Sequence, residues 1–139
     1  MRNHENILVF YRKLPTYNPQ MRQGRMRTKG SKRGSTTTNY GSYEGKTKID
    51  DMYYPQSVLD ITNGDRQTEN EHPTQKPVAL FSYLINTYTN KSDTILDPFM
   101  GSGTTLVAAK MLGRKATGVE ISEKYCFIAR QRLGQEVLF

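Results

Sequence analysis

The chain has 139 residues, of which 35% are hydrophobic, and a formal net charge of +7 at pH 7. This length suits one small domain, or a piece of a larger one, with a modest core. No apolar run approaches the roughly 18 residues of a membrane span and the start shows no signal-peptide pattern, so we expect a cytoplasmic protein without membrane contact. The single cysteine, Cys126, excludes a disulfide within the chain. The charge alone is compatible with a nucleic-acid partner and with a merely soluble basic protein.

Residues 1–19 form the first zone, and they begin with an apolar run. Ile7-Leu-Val-Phe-Tyr11 is rich in branched and aromatic residues, which predicts a buried strand. Pro15 and Pro19 follow it, and proline cannot donate a hydrogen bond to a strand ladder. We therefore assign this zone to a strand segment of a larger sheet.

Residues 20–71 form a polar second zone whose front is strongly basic. Five glycines between positions 24 and 45 disfavour a stable helix, so the zone reads as a long basic loop. Ser57-Val-Leu-Asp-Ile61 predicts one short strand within it. A loop of this length in a compact domain is usually functional or disordered. The six basic side chains at its front are Arg22, Arg25, Arg27, Lys29, Lys32 and Arg33.

Residues 72–133 form an orderly third zone. Apolar spacing predicts a helix over 78–88, and Pro77 suits its start. A short buried strand over 94–96 and a helix over 104–112, stopped by Gly113, come next. A strand over 116–120 and a helix over 123–133, capped by Ser122, complete the order. This alternation is typical of a parallel α/β sheet. Residues 134–139 read as a tail, either natural or the remnant of an engineered cleavage tag.

A glycine-rich turn, Asp97-Pro-Phe-Met-Gly-Ser-Gly-Thr-Thr105, stands between the first strand and the following helix. Glycines let the backbone approach a ligand closely, and free N–H groups at a helix start attract a carboxylate or phosphate. Glu120 ends the next strand, where a carboxylate can accept hydrogen bonds from both hydroxyls of a ribose. Together these features favour an adenosine-cofactor site over an ordinary turn. The turn is not a P-loop, and it lacks the third glycine of the dinucleotide fingerprint.

Three blocks in this order carry a family resemblance: His72-Pro-Thr-Gln-Lys-Pro77, the glycine turn, and Gly118-Val-Glu-Ile-Ser122. They resemble motifs X, I and II of the β-type (permuted) amino-methyltransferases of bacterial and phage DNA, in which motif X precedes motif I. The strong similarity covers residues 71–133. It implies the C-terminal part of such an enzyme, with a partial Rossmann-like α/β fold and S-adenosylmethionine as the cofactor.

The resemblance also implies which residues hold this cofactor. The glycine turn would surround its methionine part, Thr104 would face its carboxylate, and Glu120 would hold its ribose. The motif X block would line the other side, with Lys76 near the carboxylate. The full implied set is Asp97, Pro98, Phe99, Gly101, Ser102, Gly103, Thr104, Glu120, His72, Thr74, Gln75 and Lys76.

Family members carry an Asp-Pro-Pro-Tyr or Ser-Pro-Pro-Tyr block, motif IV, that holds the target amino group and stacks on the flipped base. The chain has no such block, so we assign it no catalytic residue. In the family the motif IV strand lies beside the motif I strand. We therefore expect an open sheet edge at 94–96, to be covered by an N-terminal half or by a homo-oligomer, and no activity from this chain alone.

The basic segment falls where these enzymes have their variable, target-recognition region. Flexible arginines and lysines there would contact the phosphates of double-stranded DNA, and the alternative is a solvated disordered loop. No Cys/His cluster has metal-ligand spacing, so no metal site is predicted.

Three functional hypotheses follow. The leading one is methyl transfer to N6 of adenine in DNA, of the kind found in restriction–modification systems, with N4 of cytosine as the alternative acceptor. The second is a non-catalytic remnant or regulatory subunit that binds cofactor or DNA. The third, a methyltransferase for RNA or small molecules, is disfavoured by the motif order.

Overall fold

A computed structural model describes residues 4–30, 35–37, 41–43, 47–62 and 74–134. The chain divides into two compact units, one of residues 1–18 and 60–139 and one of residues 19–59. No helix among the described residues is long and apolar enough to cross a membrane. In chain order the elements are β1 (Arg22–Gly30), β2 (Ser35–Thr37), β3 (Gly41–Tyr43), β4 (Thr47–Tyr53), α1 (Val78–Tyr88), β5 (Thr94–Asp97), α2 (Thr104–Met111), β6 (Lys115–Gly118) and α3 (Glu123–Gly134).

The first unit confirms the predicted order of helix, strand, helix, strand and helix. β5 and β6 are parallel, in a register that runs from Thr94 opposite Lys115 to Asp97 opposite Gly118. Parallel neighbours need a crossover connection, and α2 supplies it. Gly113 then ends α2 with a φ of 66°, as the sequence predicted. As a result, the carboxyl ends of both strands meet at one edge of the sheet, where α2 begins.

The core of this unit lies where α1 packs against α2. Ile85, Ala108 and Ala109 are buried at its centre. Because the two alanines are small, the helices approach closely and leave little space to fill. The partly buried apolar side chains that pack around this centre are Val78, Phe81, Ile95, Leu112 and Ala116.

Each strand of the small sheet has one unpaired edge within the described residues. Within the described residues β5 pairs only with β6, although the sequence predicts a buried strand here. Leu96 is 65% exposed, and Thr94 is exposed as well. The expected open edge at the motif I strand is therefore present in the part of the chain that the structure describes.

The prediction of a buried strand at residues 7–11 is wrong. The segment has no strand geometry, and its side chains are exposed, with Phe10 at 87%. A strand needs a neighbour to satisfy its backbone groups, and no described strand pairs with this one. The segment is attached farther along, where the Asn18 N–H donates to the Thr87 carbonyl at 2.7 Å and the Tyr17 ring lies 6.2 Å from that of Tyr88.

The second unit corrects the prediction of a long basic loop. β1 and β4 pair antiparallel, and β2 and β3 form a second, shorter antiparallel pair. Opposite charges on β1 and β4, described below, stabilise a pairing that glycine content alone argued against. The short strand predicted at 57–61 is absent, because those residues extend past β4 without a partner among the described strands.

Replacing Ile85 by Ala should lower the free energy of unfolding by about 2–5 kcal/mol, since a buried side chain is lost and a cavity is left. Chemical denaturation followed by circular dichroism measures the change. Ile121→Ala is the matched control, because Ile121 is 99% exposed and its loss should change stability by less than about 0.5 kcal/mol. Equal effects of the two substitutions would show that the core is placed wrongly.

Candidate functional site

The glycine turn occupies the edge of the sheet where both strands end. Gly101 and Gly103 have φ values of 52° and 80°, in the left-handed region that side chains disfavour. The turn closes through a hydrogen bond from the Gly103 N–H to the Met100 carbonyl at 2.8 Å. The Met100 N–H in turn donates to the Val119 carbonyl at 3.0 Å, which ties the turn to the segment after β6. Both glycines are therefore required by the backbone.

Asp97 shapes the entry to this turn. Its Oδ1 accepts a hydrogen bond from the Phe99 N–H at 3.0 Å, the pattern of an Asx turn. Its carbonyl accepts from the Val119 N–H at 2.9 Å, which extends the ladder one step beyond the strands. Pro98 and Phe99 are exposed, Phe99 at 88%. The Asp97 carboxylate thus acts on the backbone, and the two side chains after it face outward.

Glu120 meets the glycine turn, as the sequence predicted. It follows the end of β6, and its Oε2 accepts a hydrogen bond from the Gly101 N–H at 3.0 Å. Its Oε1 accepts from the Ser122 N–H at 2.8 Å. A negative charge therefore stands directly beside the turn. A carboxylate oxygen can accept more than one hydrogen bond.

A buried polar cluster lies on the N-terminal side of α2. Gln75, Ser102 and Thr104 are all buried, and the Ser102 hydroxyl donates to Gln75 Oε1 at 2.5 Å. Motif X and motif I are thereby joined through side chains. The cluster includes Arg132 of α3, whose Nη1 lies 3.2 Å from Gln75 Oε1 and 2.9 Å from the Ser102 carbonyl.

Sequence reasoning missed Arg132. It is 30 positions after Ser102 and belongs to no motif block, so its only signal was a basic residue in the last turn of a helix.

Lys76 of motif X makes its contacts outside this cluster. Lys76 forms an ion pair with Glu5, with Nζ–Oε distances of 2.7 and 2.8 Å. Because both side chains are exposed to solvent, this pair contributes little to stability. Thr74 is exposed, and the predicted contact residue His72 lies outside the described residues.

The predicted DNA-binding residues divide into three groups. Arg27 and Lys29 are engaged within the second unit, as shown below. Arg22 and Arg25 are exposed, and neither forms an ion pair with a described residue. Lys32 and Arg33 lie outside the described residues.

Arg27 and Lys29 are held by Asp50 and by the end of β4. The Lys29 ammonium is 2.9 Å from Asp50 Oδ1, and Arg27 Nε is 3.8 Å from the same oxygen. The Arg27 guanidinium also stacks over the Tyr53 ring at 3.5 Å. These two cations neutralise an acid and cover an aromatic ring, so their charge stabilises the strand pair.

A β-bulge lies between the exposed and the engaged arginines. Gln23 pairs with Met52 and Arg27 with Asp50, so residues 24–26 lie opposite Asp51 alone. Tyr53 pins the bulge, because its hydroxyl donates to the Arg25 carbonyl at 3.0 Å. Bulges commonly redirect side chains, and this one carries the exposed Arg25.

The described residues contain no group of three or more His, Cys, Asp or Glu side chains that could hold a metal ion. Cys126 is a free, half-buried thiol whose Sγ lies 3.6 Å from the Glu120 carbonyl. It borders a cavity of about 380 Å³ that also contacts Glu120, Met100 and Leu106. Among the described residues, this edge therefore combines backbone amides and the Glu120 carboxylate with the Cys126 thiol.

The similarity of this chain to known proteins agrees with the geometry of the glycine turn and Glu120. A family model described as DNA methylase matches residues 1–131. The type II methyltransferase M2.LlaDCHI of Lactococcus lactis subsp. cremoris is 37% identical over 75% of this chain and 39% of its own length. The type II methyltransferase M2.DpnII of Streptococcus pneumoniae is 39% identical over 70% of this chain and 37% of its own length. The chain thus spans well under half the length of these relatives.

Two solved structures have a similar fold. A crystal structure of an M1.HpyAVI–SAM complex has a TM-score of 0.51 and 26% sequence identity, and the match covers 83% of this chain and 64% of that one. The PvuII DNA methyltransferase, described as cytosine-N4-specific, has a TM-score of 0.54 and 24% identity, over 62% of this chain and 34% of its own. Both support a partial methyltransferase fold of the α/β class.

Replacing Gly103 by Ala should destabilise the protein more than replacing Gly113 by Ala. Both glycines have positive φ, which costs an alanine about 1–2 kcal/mol. A Cβ at Gly103 would also lie 2.8 Å from the Ala129 Cβ, whereas nothing lies within 4 Å of one at Gly113. The overpacking should add about 1–3 kcal/mol at Gly103 alone, measured by urea denaturation. If the two variants unfold at the same midpoint, α3 does not pack against the turn as described.

Proposed function

Because this chain belongs to the DNA methylase family, we propose that it is the cofactor-binding C-terminal portion of a cytoplasmic, site-specific DNA methyltransferase. The reaction moves a methyl group from S-adenosylmethionine to the exocyclic amino group of adenine, N6, with N4 of cytosine as the alternative. The observation that carries the proposal is the Glu120 carboxylate at the Gly101 amide, at the edge where two parallel strands end. This is where open α/β sheets bind their ligands.

The residues at this edge fit S-adenosylmethionine by their chemistry. The turn at the start of α2 offers backbone N–H groups and the positive end of a helix dipole to the cofactor's carboxylate. The Glu120 carboxylate is chemically suited to accept hydrogen bonds from the two ribose hydroxyls. The exposed side chains of Phe99 and Ile121 offer apolar surface for the adenine ring. When bound, the cofactor supplies a methyl group activated by its positively charged sulfur.

What this chain does in the reaction is to bind and to orient. The pinned turn and the Glu120 carboxylate hold the cofactor at a defined place beside the open edge of β5. Holding a donor in line with an acceptor accelerates transfer, because the two no longer have to meet by diffusion. No residue of this chain is assigned to grip the acceptor base, since the chain contains no Asp/Ser-Pro-Pro-Tyr block.

We propose that the residues that hold the acceptor base belong to a strand that pairs with the open edge of β5. The unpaired side of β5 within the described residues fits such a neighbour. The 65% exposure of Leu96 fits a further element that covers this face of the strand. The relatives have room for it, because the match to this chain covers only 39% and 37% of their lengths. An N-terminal half, joined to this chain or separate from it, would supply the strand, and a homo-oligomer is the alternative.

Double-stranded DNA is the proposed macromolecular partner of the second unit. Arg22 and Arg25 are exposed and free of ion pairs with described residues, and the pinned bulge presents Arg25. Phosphate contacts from such side chains orient a protein on DNA without reading its sequence. Arg27 and Lys29 are assigned to the stability of the strand pair. Lys32 and Arg33 remain proposed phosphate contacts on the basis of the sequence alone.

Replacing Glu120 by Gln should raise the dissociation constant for S-adenosylhomocysteine, the demethylated cofactor, by about ten- to a hundredfold, because charged hydrogen bonds to the ribose weaken. Calorimetric titration measures it. Glu123→Gln removes the same charge from an exposed position three residues away and should leave the affinity unchanged. Wild-type protein that gives no heat with this ligand, even with the acceptor-binding half present, would refute the proposed site.

Replacing Arg22 and Arg25 together by Ala should weaken binding to DNA of any sequence. It should reduce the slope of log affinity against log salt concentration by about two, one for each lost phosphate contact. Fluorescence anisotropy across a salt series measures both quantities. Lys91 and Lys115, which are exposed in the other unit, give a control pair of Ala substitutions with the same change in net charge. An unchanged slope in the Arg22/Arg25 variant would contradict the assignment.

The activity itself is tested with the acceptor-binding half restored. Tritiated methyl groups should then pass to DNA, and mass spectrometry of the nucleosides distinguishes N6-methyladenine from N4-methylcytosine. Cofactor binding without any transfer in the reconstituted protein would instead support the non-catalytic alternative.

A further inference from the structure

Arg132 makes contacts that no motif accounts for. A single nitrogen, Nη1, lies 2.9 Å from the Ser102 carbonyl and 3.0 Å from the Ser102 hydroxyl. The same nitrogen is 3.1 Å from the Thr104 hydroxyl and 3.2 Å from Gln75 Oε1. These four acceptors belong to two segments, the one that leads into α1 and the one that leads into α2. One side chain from the end of α3 therefore joins both sides of the proposed cofactor site.

The acceptors around Arg132 depend on it because they are buried. Gln75, Ser102 and Thr104 are all at most 9% exposed, so water cannot replace a lost donor easily. Buried polar groups that lose a partner destabilise the arrangement that holds them. The Ser102 hydroxyl also donates to Gln75, so a loss at one member disturbs the other.

The position of Ser102 makes this contact relevant to the cofactor. Ser102 lies between Gly101 and Gly103, which both have positive φ. Flanking glycines allow the backbone at Ser102 a wide range of conformations. Arg132 restricts these conformations because it contacts both the carbonyl and the hydroxyl of Ser102. On the other side Glu120 holds the Gly101 amide. The turn is thus fixed between a cation and an anion.

The two charges have different roles. Glu120 belongs to the proposed ribose site, and its hydrogen bonds change when a ribose is bound. Arg132 donates to protein groups of both segments and has no part in the proposed ligand contacts. We propose that Arg132 is a positioning residue that raises cofactor affinity without touching the cofactor, by locking Gln75 to the glycine turn. This inference rests on the proposed function.

The experiment compares Arg132→Met, Arg132→Lys and Lys124→Met in the whole protein by calorimetric titration with S-adenosylhomocysteine. Each variant is studied at a temperature where circular dichroism shows it to be folded. Methionine keeps the apolar stem and removes every donor. Lysine keeps the positive charge and ends in one nitrogen with three N–H donors, on a side chain one bond shorter than that of arginine. Lys124 is exposed on the same helix and carries the same charge.

We expect Arg132→Met to raise the dissociation constant for S-adenosylhomocysteine by about ten- to a hundredfold, because the buried acceptors lose a charged hydrogen-bond donor. Arg132→Lys, which keeps a charged donor on a shorter side chain, should show a smaller loss of affinity than Arg132→Met, and Lys124→Met should leave the affinity unchanged. In ¹H–¹⁵N spectra of the free protein, the Gly101 and Gly103 amide signals should shift in Arg132→Met only. A role confined to overall stability would lower the melting temperature without moving these two signals selectively.

Wild-type affinity in the folded Arg132→Met variant would overturn the inference and leave the proposed function intact. So would Gly101 and Gly103 amide signals that do not move in Arg132→Met. If wild-type protein does not bind S-adenosylhomocysteine, the proposed function fails first and the inference fails with it.

Discussion

The hydrogen bond from the Gly101 amide to the Glu120 carboxylate is the contact on which the site depends. It joins the turn after β5 to the segment after β6, two places that are 19 residues apart in the chain. The backbone bonds between Val119 and its partners Asp97 and Met100 prepare it by extending the parallel ladder past the end of both strands. Two loops that would otherwise move separately therefore form one surface, and that surface combines amide donors with a negative charge.

Close packing behind this surface explains why a side chain at Gly103 is disfavoured. Gly103 lies so near Ala129 that even a Cβ would be too close, and Ala129 is itself buried. This contact seats α3 against the start of α2. Because Ala129 and Arg132 lie on the side of α3 that faces the turn, the same packing also brings Arg132 to Ser102. The packing of small residues and the polar cluster at the site therefore depend on each other, because α3 contributes a residue to each.

The second unit shows that the number of basic residues is a poor measure of the charge available to a partner. Asp50 lies within reach of both Arg27 and Lys29, and the Tyr53 ring lies under the Arg27 guanidinium. Those cations stabilise a strand pair whose first strand contains glycine and few apolar residues. The exposed Arg22 and Arg25 keep their charge for solvent or for a polyanion. Strand pairing and cross-strand ion pairs thus place the members of one run of basic residues in two different environments.

The sequence by itself determined the elements whose signals are local. The spacing of apolar residues and the glycine stops identified α1, β5, α2, β6 and α3, and the glycine turn with Glu120 predicted the site, because these depend on neighbours along the chain or on a motif of fixed order. Only the tertiary structure decided what depends on distant partners. The run at 7–11 has strand composition but no partner among the strands that the structure describes, whereas the glycine-bearing segment at 22–30 pairs with β4 and is a strand. Arg132 lies 57 positions from Gln75, and no local pattern marks such a contact, since it exists only once α3 has packed against α2.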